Sequence, residues 1–376
     1  MNKKILLINQ STGYLTIDIA NVFAEEYDEV VLLAGSVGKS ERELSSKVIV
    51  DNIIKYNRSS TLKRVGTWLI SFIQILFKLI FRYREYEVIY VTNPPLSYLA
   101  SLFVKNSFSI IVFDSYPDAL RNIGIKENNW LYRLWSKWNK KLFQRSKWVY
   151  TLSEGMAEQL TTYVERKRIK VVPLWPSSDN FKPIKKEDNP FILKHNLQDK
   201  FVVMYSGNMG YTHSVETIIE VANLLKEVND IHFLLIGDGM RKNGLVKMVQ
   251  DYNINNCTFL DWQPIDTLPY SLASADIGVV TLNEETTQTS VPSKTFNLMA
   301  VGAPLLCIAS ERSEVAKIID RYKNGAVFAA SDIDIIATYV KSIFDDAIQK
   351  KVLSENSLKA SKEFTKENAK KYIHNN

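Results

Sequence analysis

With only two cysteines in 376 residues, Cys257 and Cys307, the chain has too few thiols, set too far apart, for a disulfide framework or a thiolate metal site, and a reducing compartment suits it best. It has no long polar, Pro-rich or Gly/Ser-rich tract, so nothing marks a disordered segment. Hydrophobic residues at 46% and charged residues at 23% fit a folded protein. The opening MNKKILLINQ turns polar after one short apolar run, which reads as a first strand and not as a signal peptide. The longest uncharged apolar run, residues 65–77 (VGTWLISFIQILF), lies between Lys63-Arg64 and Lys78; its 13 residues fall short of the roughly 20 that a membrane span needs. The net charge of +6 suits an anionic partner such as a nucleotide, a lipid phosphate or an acidic membrane surface. No RNP-type, zinc-finger or helix-turn-helix signature points it at nucleic acid.

What the chain does have is a repeated alternation of apolar strands and helical stretches. Strand-like runs at 5–8, 30–33, 88–91, 110–113 and 148–152 predict a parallel sheet covered by helices. The pattern restarts after a loop holding Pro173, Pro176, Pro183, Pro190 and the charged run 185–188, with strands expected at 201–205, 233–236, 258–260, 277–280 and 305–308. A chain this long exceeds one ordinary core. The expectation is therefore an α/β protein of two doubly wound domains facing a cleft: 1–180, 181–355, and a C-terminal helix at 356–376 that packs back on the first domain.

Two segments carry chemistry. In YSGNMGYTHSVET (205–217) a strand runs into Gly207 and Gly210, and Ser214 offers an N-cap hydroxyl before a helix whose Val215, Ile218, Ile219, Ala222 and Leu225 form one stripe. Glycines admit a ligand close to the backbone, and helix-start amides favour an anion, so a diphosphate fits there; a plain strand–helix turn is the alternative. In SVPSKTFNLMAVGAPLL (290–306), Ser293 and Lys294 open a short helix that Gly302 ends. A lysine at a helix start is disfavoured unless an anion lies nearby.

Together with FLLIGDGM (233–240), these segments resemble the donor domain of retaining family 4 glycosyltransferases of the GT-B fold, nearest to the bacterial enzymes that build capsule, O-antigen or exopolysaccharide. FDSYPDALRNIG (113–124) is similar to the Asp-x-Trp-Pro segment of the acceptor domain in that subgroup. The resemblance implies two Rossmann-like domains and a nucleotide-diphosphate sugar, UDP-sugar favoured, bound by the second of them. The sugar would pass, with retention and without metal or other cofactor, to a hydroxyl of a lipid-linked or growing saccharide. It implies donor contacts at Gly207, Asn208, Gly210, His213, Gly237, Asp238, Trp262, Ser293, Lys294 and Asn297, with Lys294 and Asn297 acting in catalysis. Asn208 and His213 stand where many members carry Arg and Lys, while Thr289 and Asn297 replace the two acids of the Glu-x7-Glu motif. Trp262 is expected to stack on the base or else to pack. On the acceptor side the candidates are Gly13, Asp118 and Asp114, the last as the base or orienting group for the acceptor hydroxyl; for Asp118 an N-cap role competes. Asp332-Ile333-Asp334 has the spelling of a metal motif and reads as a helix cap.

Leu131, Leu134, Trp135, Trp138 and Leu142 form a helical stripe among Arg133, Lys137, Lys140, Lys141, Arg145 and Lys147. With 65–77 they suggest a peripheral position on the inner face of the cytoplasmic membrane for an otherwise cytoplasmic protein, or else two core-facing helices. Two other readings remain: a non-hydrolysing nucleotide-sugar epimerase, which needs cleft carboxylates and a His, and a non-catalytic nucleotide-sugar-binding partner.

Overall fold

The structure is a computed structural model that describes residues 3–38, 42–57, 59–118, 120, 126–211, 213–283 and 291–373. Thr289, Ser290 and most of 119–125 therefore lie outside the described residues. The chain divides into a first unit, Met1–Ser177 with Lys366–Asn376, and a second, Ser178–Thr365.

In the first unit, β1 (Lys4–Ile8), β3 (Glu29–Ala34), β5 (Val48–Asn52), β6 (Glu87–Val91), β7 (Phe108–Val112), β8 (Val149–Thr151) and β9 (Ile169–Val171) form one parallel sheet in the order β5-β3-β1-β6-β7-β8-β9. A separate small pair joins β2 (Ser11–Thr12) to β4 (Ser36–Val37). Alternate residues of each strand point to opposite faces. Leu6, Ile8, Val88, Tyr90 and Ile110 meet α2 (Thr61–Phe81), a 3-10 segment (Ser97–Leu102) and α3 (Trp130–Arg145) on one side. Ile5, Leu7, Ile89 and Ile111 meet α1 (Tyr14–Glu26), Trp175 and Tyr372 on the other. α4 (Glu154–Leu160) packs beside β9.

The apolar stripe of α3 proves to be core: Trp135 and Leu142 are buried, and the Trp135 Nε1–H donates to the Tyr98 hydroxyl at 2.8 Å. Leu131, Leu134 and Trp138 of the same stripe are half-buried. The apolar run at 65–77, by contrast, is the middle of a 21-residue helix, α2, with only Ser71, Ile75 and Leu79 buried. The C-terminal return to the first unit is a 3-10 stretch, Lys366–Tyr372, not an α-helix, and residues 356–365 belong to the second unit.

The second unit has β10 (Phe201–Ser206), β11 (Ile231–Ile236), β12 (Cys257–Leu260), β13 (Ile277–Thr281), β14 (Leu305–Ile308) and β15 (Gly325–Phe328) in the order β12-β11-β10-β13-β14-β15, all parallel. Its helices are α5 (Pro190–Lys194), α6 (Val215–Leu224), α7 (Lys242–Asp251), α8 (Leu268–Leu272), α9 (Lys294–Ala300), α10 (Glu314–Tyr322), α11 (Ile333–Asp345) and α12 (Ala347–Ser361). The stripe expected on α6 is buried against Val203, Tyr205, Leu235 and Val279. Gly302, at φ +77°, closes α9. Asp276 accepts from Lys186 Nζ (2.6 Å), Lys350 Nζ (2.9 Å) and the Val202 amide (2.9 Å), tying the entering segment and α12 to the amino end of the sheet.

Candidate functional site

In an open α/β sheet the ligand crevice lies at the carboxyl ends of the two strands where the order reverses. In the second unit these strands are β10 and β13. After β10 the backbone enters Gly207–Gly210 and is stitched to the loop after β11: the Gly207 amide donates to Ile236 O (2.9 Å), Met209 N to Asp238 O (2.8 Å), and Arg241 N to Met209 O (3.1 Å). Gly237 and Gly239 have φ of +138° and +157°, and a side chain on either would strike the backbone of Gly207 or Met209. These glycines serve the contact between two loops.

The amides of Gly207 and Met209 are thus hydrogen-bonded within the protein. Ser214 stands at the N-cap position of α6 but makes no capping bond with its side chain, so its predicted hydroxyl cap is absent. Asp332 likewise precedes α11 without capping it, its carboxylate accepting instead from the Ala329 amide.

The cation of the site comes from the next crossover. Lys294 is the first residue of α9, and its Nζ lies against Gly207, where even a methyl group would collide with it. The same Nζ sits 3.9 Å from the centroid of the Tyr205 ring. It is shielded from solvent and has no hydrogen-bond acceptor among the described residues. Burial lowers its pKa to about 7. An ammonium held there without a counter-charge is costly, and an anion entering the crevice would restore its charge.

His213 lies beside it. Its Nδ1 is 2.9 Å from Thr281 O at the end of β13, so Nδ1 carries the hydrogen and donates. Burial, with Lys294 adding to it, holds the pKa below the usual histidine value despite that bond. Neutral His213 therefore offers a lone pair on Nε2 and brings no positive charge. Tyr205 completes the group: its hydroxyl donates to Asn208 O (2.7 Å) and its ring is 6.4 Å from that of His213. Neither Tyr205 nor Thr281 stands out in the sequence, because each reads as the last core residue of a strand.

Asn297 follows Lys294 by three residues on α9, hence on the same side, and is half-buried. Asn208, Asp238, Trp262 and Ser293 are exposed. The Asp238 carboxylate accepts from the Gly239 amide at 2.8 Å, and Trp262 stands two residues past β12 at 56% exposure, so it is not a packing residue.

In the first unit the corresponding reversal lies between β1 and β6. Gln10 Nε2 donates to Ile54 O and Thr67 O, both at 3.1 Å. Asp114 is exposed two residues past β7, and its amide donates to Thr92 Oγ1 at 3.2 Å. Asp118 accepts from the hydroxyls of Ser115 (3.0 Å), Tyr132 (2.6 Å) and Tyr163 (3.1 Å), which makes it a structural hub in place of the N-cap expected. Gly13 precedes α1 with nothing within 4 Å of where a Cβ would sit, so no close approach requires it.

The second of the two parallel sheets thus sets, at its reversal point, a lysine Nζ that is shielded from solvent and has no hydrogen-bond partner among the described residues. Comparison with known proteins narrows this. Residues 185–360 match the family profile described as glycosyl transferases group 1. The chain is 24% identical over 320 residues to the probable glycosyltransferase WbjE of Pseudomonas aeruginosa, covering 82% of this chain and 80% of that protein. It is 27% identical over 183 residues to the putative colanic acid biosynthesis glycosyl transferase WcaI of Escherichia coli K12, covering 48% and 44%. The crystal structure of Anabaena HepE in complex with UDP-glucose superposes with a TM-score of 0.73 at 14% identity, covering 98% of this chain and 97% of that one. The chain has the GT-B fold of these solved structures, and its residues 185–360 are similar to the glycosyl transferases of group 1.

Proposed function

We propose that this protein transfers a sugar from a nucleoside-diphosphate sugar, UDP-sugar favoured, to a hydroxyl of a lipid-linked or growing saccharide in cell-surface polysaccharide synthesis. The observation that carries the donor assignment is the buried Lys294 ammonium at the reversal point of the second sheet, which has no acceptor among the described residues. The UDP-glucose bound by HepE and the colanic acid pathway in the name of WcaI support the donor and the pathway respectively. In this reading the donor C1–O bond to phosphate breaks while the acceptor oxygen bonds C1 on the same face, so configuration is retained. The charge that develops on the departing diphosphate is met by Lys294 and the first turn of α6, with no metal required. Asn297 and neutral His213 accept or donate hydrogen bonds to donor hydroxyls, Trp262 lies under the base, and Asp114 takes the acceptor proton. The reaction belongs to the cytoplasm.

The test is a thermal-shift and calorimetric screen of UDP, GDP, ADP and their sugar conjugates against the full chain and Lys294→Ala, followed by product analysis with lipid-linked acceptors. A selective shift by one nucleotide that Lys294→Ala abolishes is expected. Equal nucleotide affinity in the two proteins would remove Lys294 from the site.

A further inference from the structure

Among the described residues, helix α2 leaves one face without a protein partner. Leu62, Val65, Leu69, Ile70, Ile73, Phe77 and Phe81 are all exposed, and they recur at helical spacing along the whole element, about 30 Å of helix. The rings of Phe77 and Phe81 pack on each other, 4.5 Å between centroids, on the outer side. A monomer seldom shows an apolar stripe of this extent to water. Cations prevail around it: from Asn52 to Arg84 the chain carries Lys55, Arg58, Lys63, Arg64, Lys78, Arg82 and Arg84 and no Asp or Glu, with Asp51 and Glu85 just outside this stretch. Lys78 and Arg82 bond Asp51 at 2.6 and 3.3 Å, while exposed Lys63 and Arg64 occupy the first turn of the helix, which has no acidic residue. Cations are unfavourable at a helix start unless an anion faces them.

We propose that α2 is an interfacial helix that lays its exposed stripe into the surface of an anionic lipid leaflet, with its basic residues at the level of the headgroups. The helix is long and apolar enough to cross a membrane. It lies flat instead, because its opposite side is core: Ser71, Ile75 and Leu79 are wholly buried, and Gln74 Oε1 accepts the Ile54 amide at 2.7 Å. Spanning would strip these groups from the first unit. The amino end of α2 lies at the carboxyl edge of the sheet, where the Thr67 carbonyl accepts from Gln10 and Trp68 meets Tyr116 at 6.2 Å between ring centroids. Docking this stripe would hold the acceptor side of the first unit next to the lipid surface, where a lipid-linked saccharide presents its sugar.

The experiment is flotation of the full chain with vesicles of phosphatidylcholine alone or mixed with phosphatidylglycerol. Wild type is expected to float with the mixed vesicles, less so as salt rises, and the triple variant Leu69→Ser/Ile73→Ser/Phe77→Ser to bind at least about tenfold more weakly. The triple variant should retain nucleotide binding, a readout that separates failure of docking from failure of the transfer reading. As a check independent of that variant's folding, a polarity-sensitive dye on Phe77→Cys, in a Cys257→Ser background, should shift to the blue with mixed vesicles, while the same dye on Ile348→Cys in the second unit should not. Wild type that stays with the buffer, a triple variant that floats equally well, or a wild-type dimer that the triple variant turns to monomer without any lipid binding would each overturn the proposal.

Discussion

At the scale of single residues, the chemistry of the second unit turns on Lys294. Its depressed pKa ties ligand binding to protonation: an anion binds the charged form, so above pH 7 each further unit should weaken UDP binding by up to about tenfold. In Lys294→Met the affinity should be lower by one to two orders of magnitude, matching loss of a charge-assisted bond of about 1.5–3 kcal/mol, and flat between pH 7 and 9. Calorimetry across that range checks both. Stability carries the opposite sign. Because the folded pKa of about 7 lies below the ordinary lysine value of 10.5, the unfolded chain binds more protons between those limits, and native stability rises with pH there. Lys294→Met should therefore be more stable than wild type at pH 6 in the absence of ligand, by a margin that shrinks from pH 7 upward. Gly239 poses a different constraint: at φ +157° and against the Met209 backbone, Gly239→Ala should destabilise by about 1–3 kcal/mol and weaken UDP binding, measured by denaturant unfolding and calorimetry.

At the scale of elements, α2 separates two jobs along one helix. Ile75 is fully buried and Ile73, two residues earlier, is 64% exposed. Ile75→Ala should cost about 2–5 kcal/mol of stability, whereas Ile73→Ser should stay within about 0.5 kcal/mol; chemical denaturation distinguishes them. The element scale is also where sequence reading lost information. The buried central strands were legible because strands covered on both faces are continuous apolar runs, as at 201–205. β5, β9 and β15 were not: β5 exposes Ile49 and Val50, and β9 and β15 are short edge strands whose pairing comes from register with a neighbour. The stripe on α3 and the run in α2 looked alike as sequence. Burial placed Trp135 and Leu142 of the first in the core and left most of the second open.

At the scale of the molecule, the chain crosses between the units twice, at 177–178 and again at 365–366, so the first unit is completed by the last residues of the chain. Tyr372 and Ala369 are buried against it, and the Tyr372 carbonyl accepts the Tyr150 hydroxyl at 2.9 Å. Truncation after Thr365 should lower the unfolding temperature of the first unit while nucleotide binding by the second persists, visible as a separate, earlier calorimetric transition. If the two units lost stability together, or nucleotide binding failed with the first unit, that division of labour would be wrong.

Sequence alone determined the class of fold, the two sheets, the buried stripe of α6 and the segments that border the crevice, because apolar periodicity and glycine placement are local properties of the chain. It also pointed to Lys294, through the cost of a cation at a helix start. Only tertiary structure decided what surrounds that lysine. The Tyr205 ring, the Gly207 backbone, His213 turned to the Thr281 carbonyl and the stitching of the two glycine loops are contacts between crossovers far apart in sequence. They exist because β10 lies between β11 and β13 in the sheet, which brings the loops after all three strands together. Tertiary structure likewise decided the role of Asp118, which the hydroxyls of Tyr132 and Tyr163 reach from α3 and from the segment after α4. A residue's type sets what it can do, and the partners that folding brings within about 3 Å select which of those things it does.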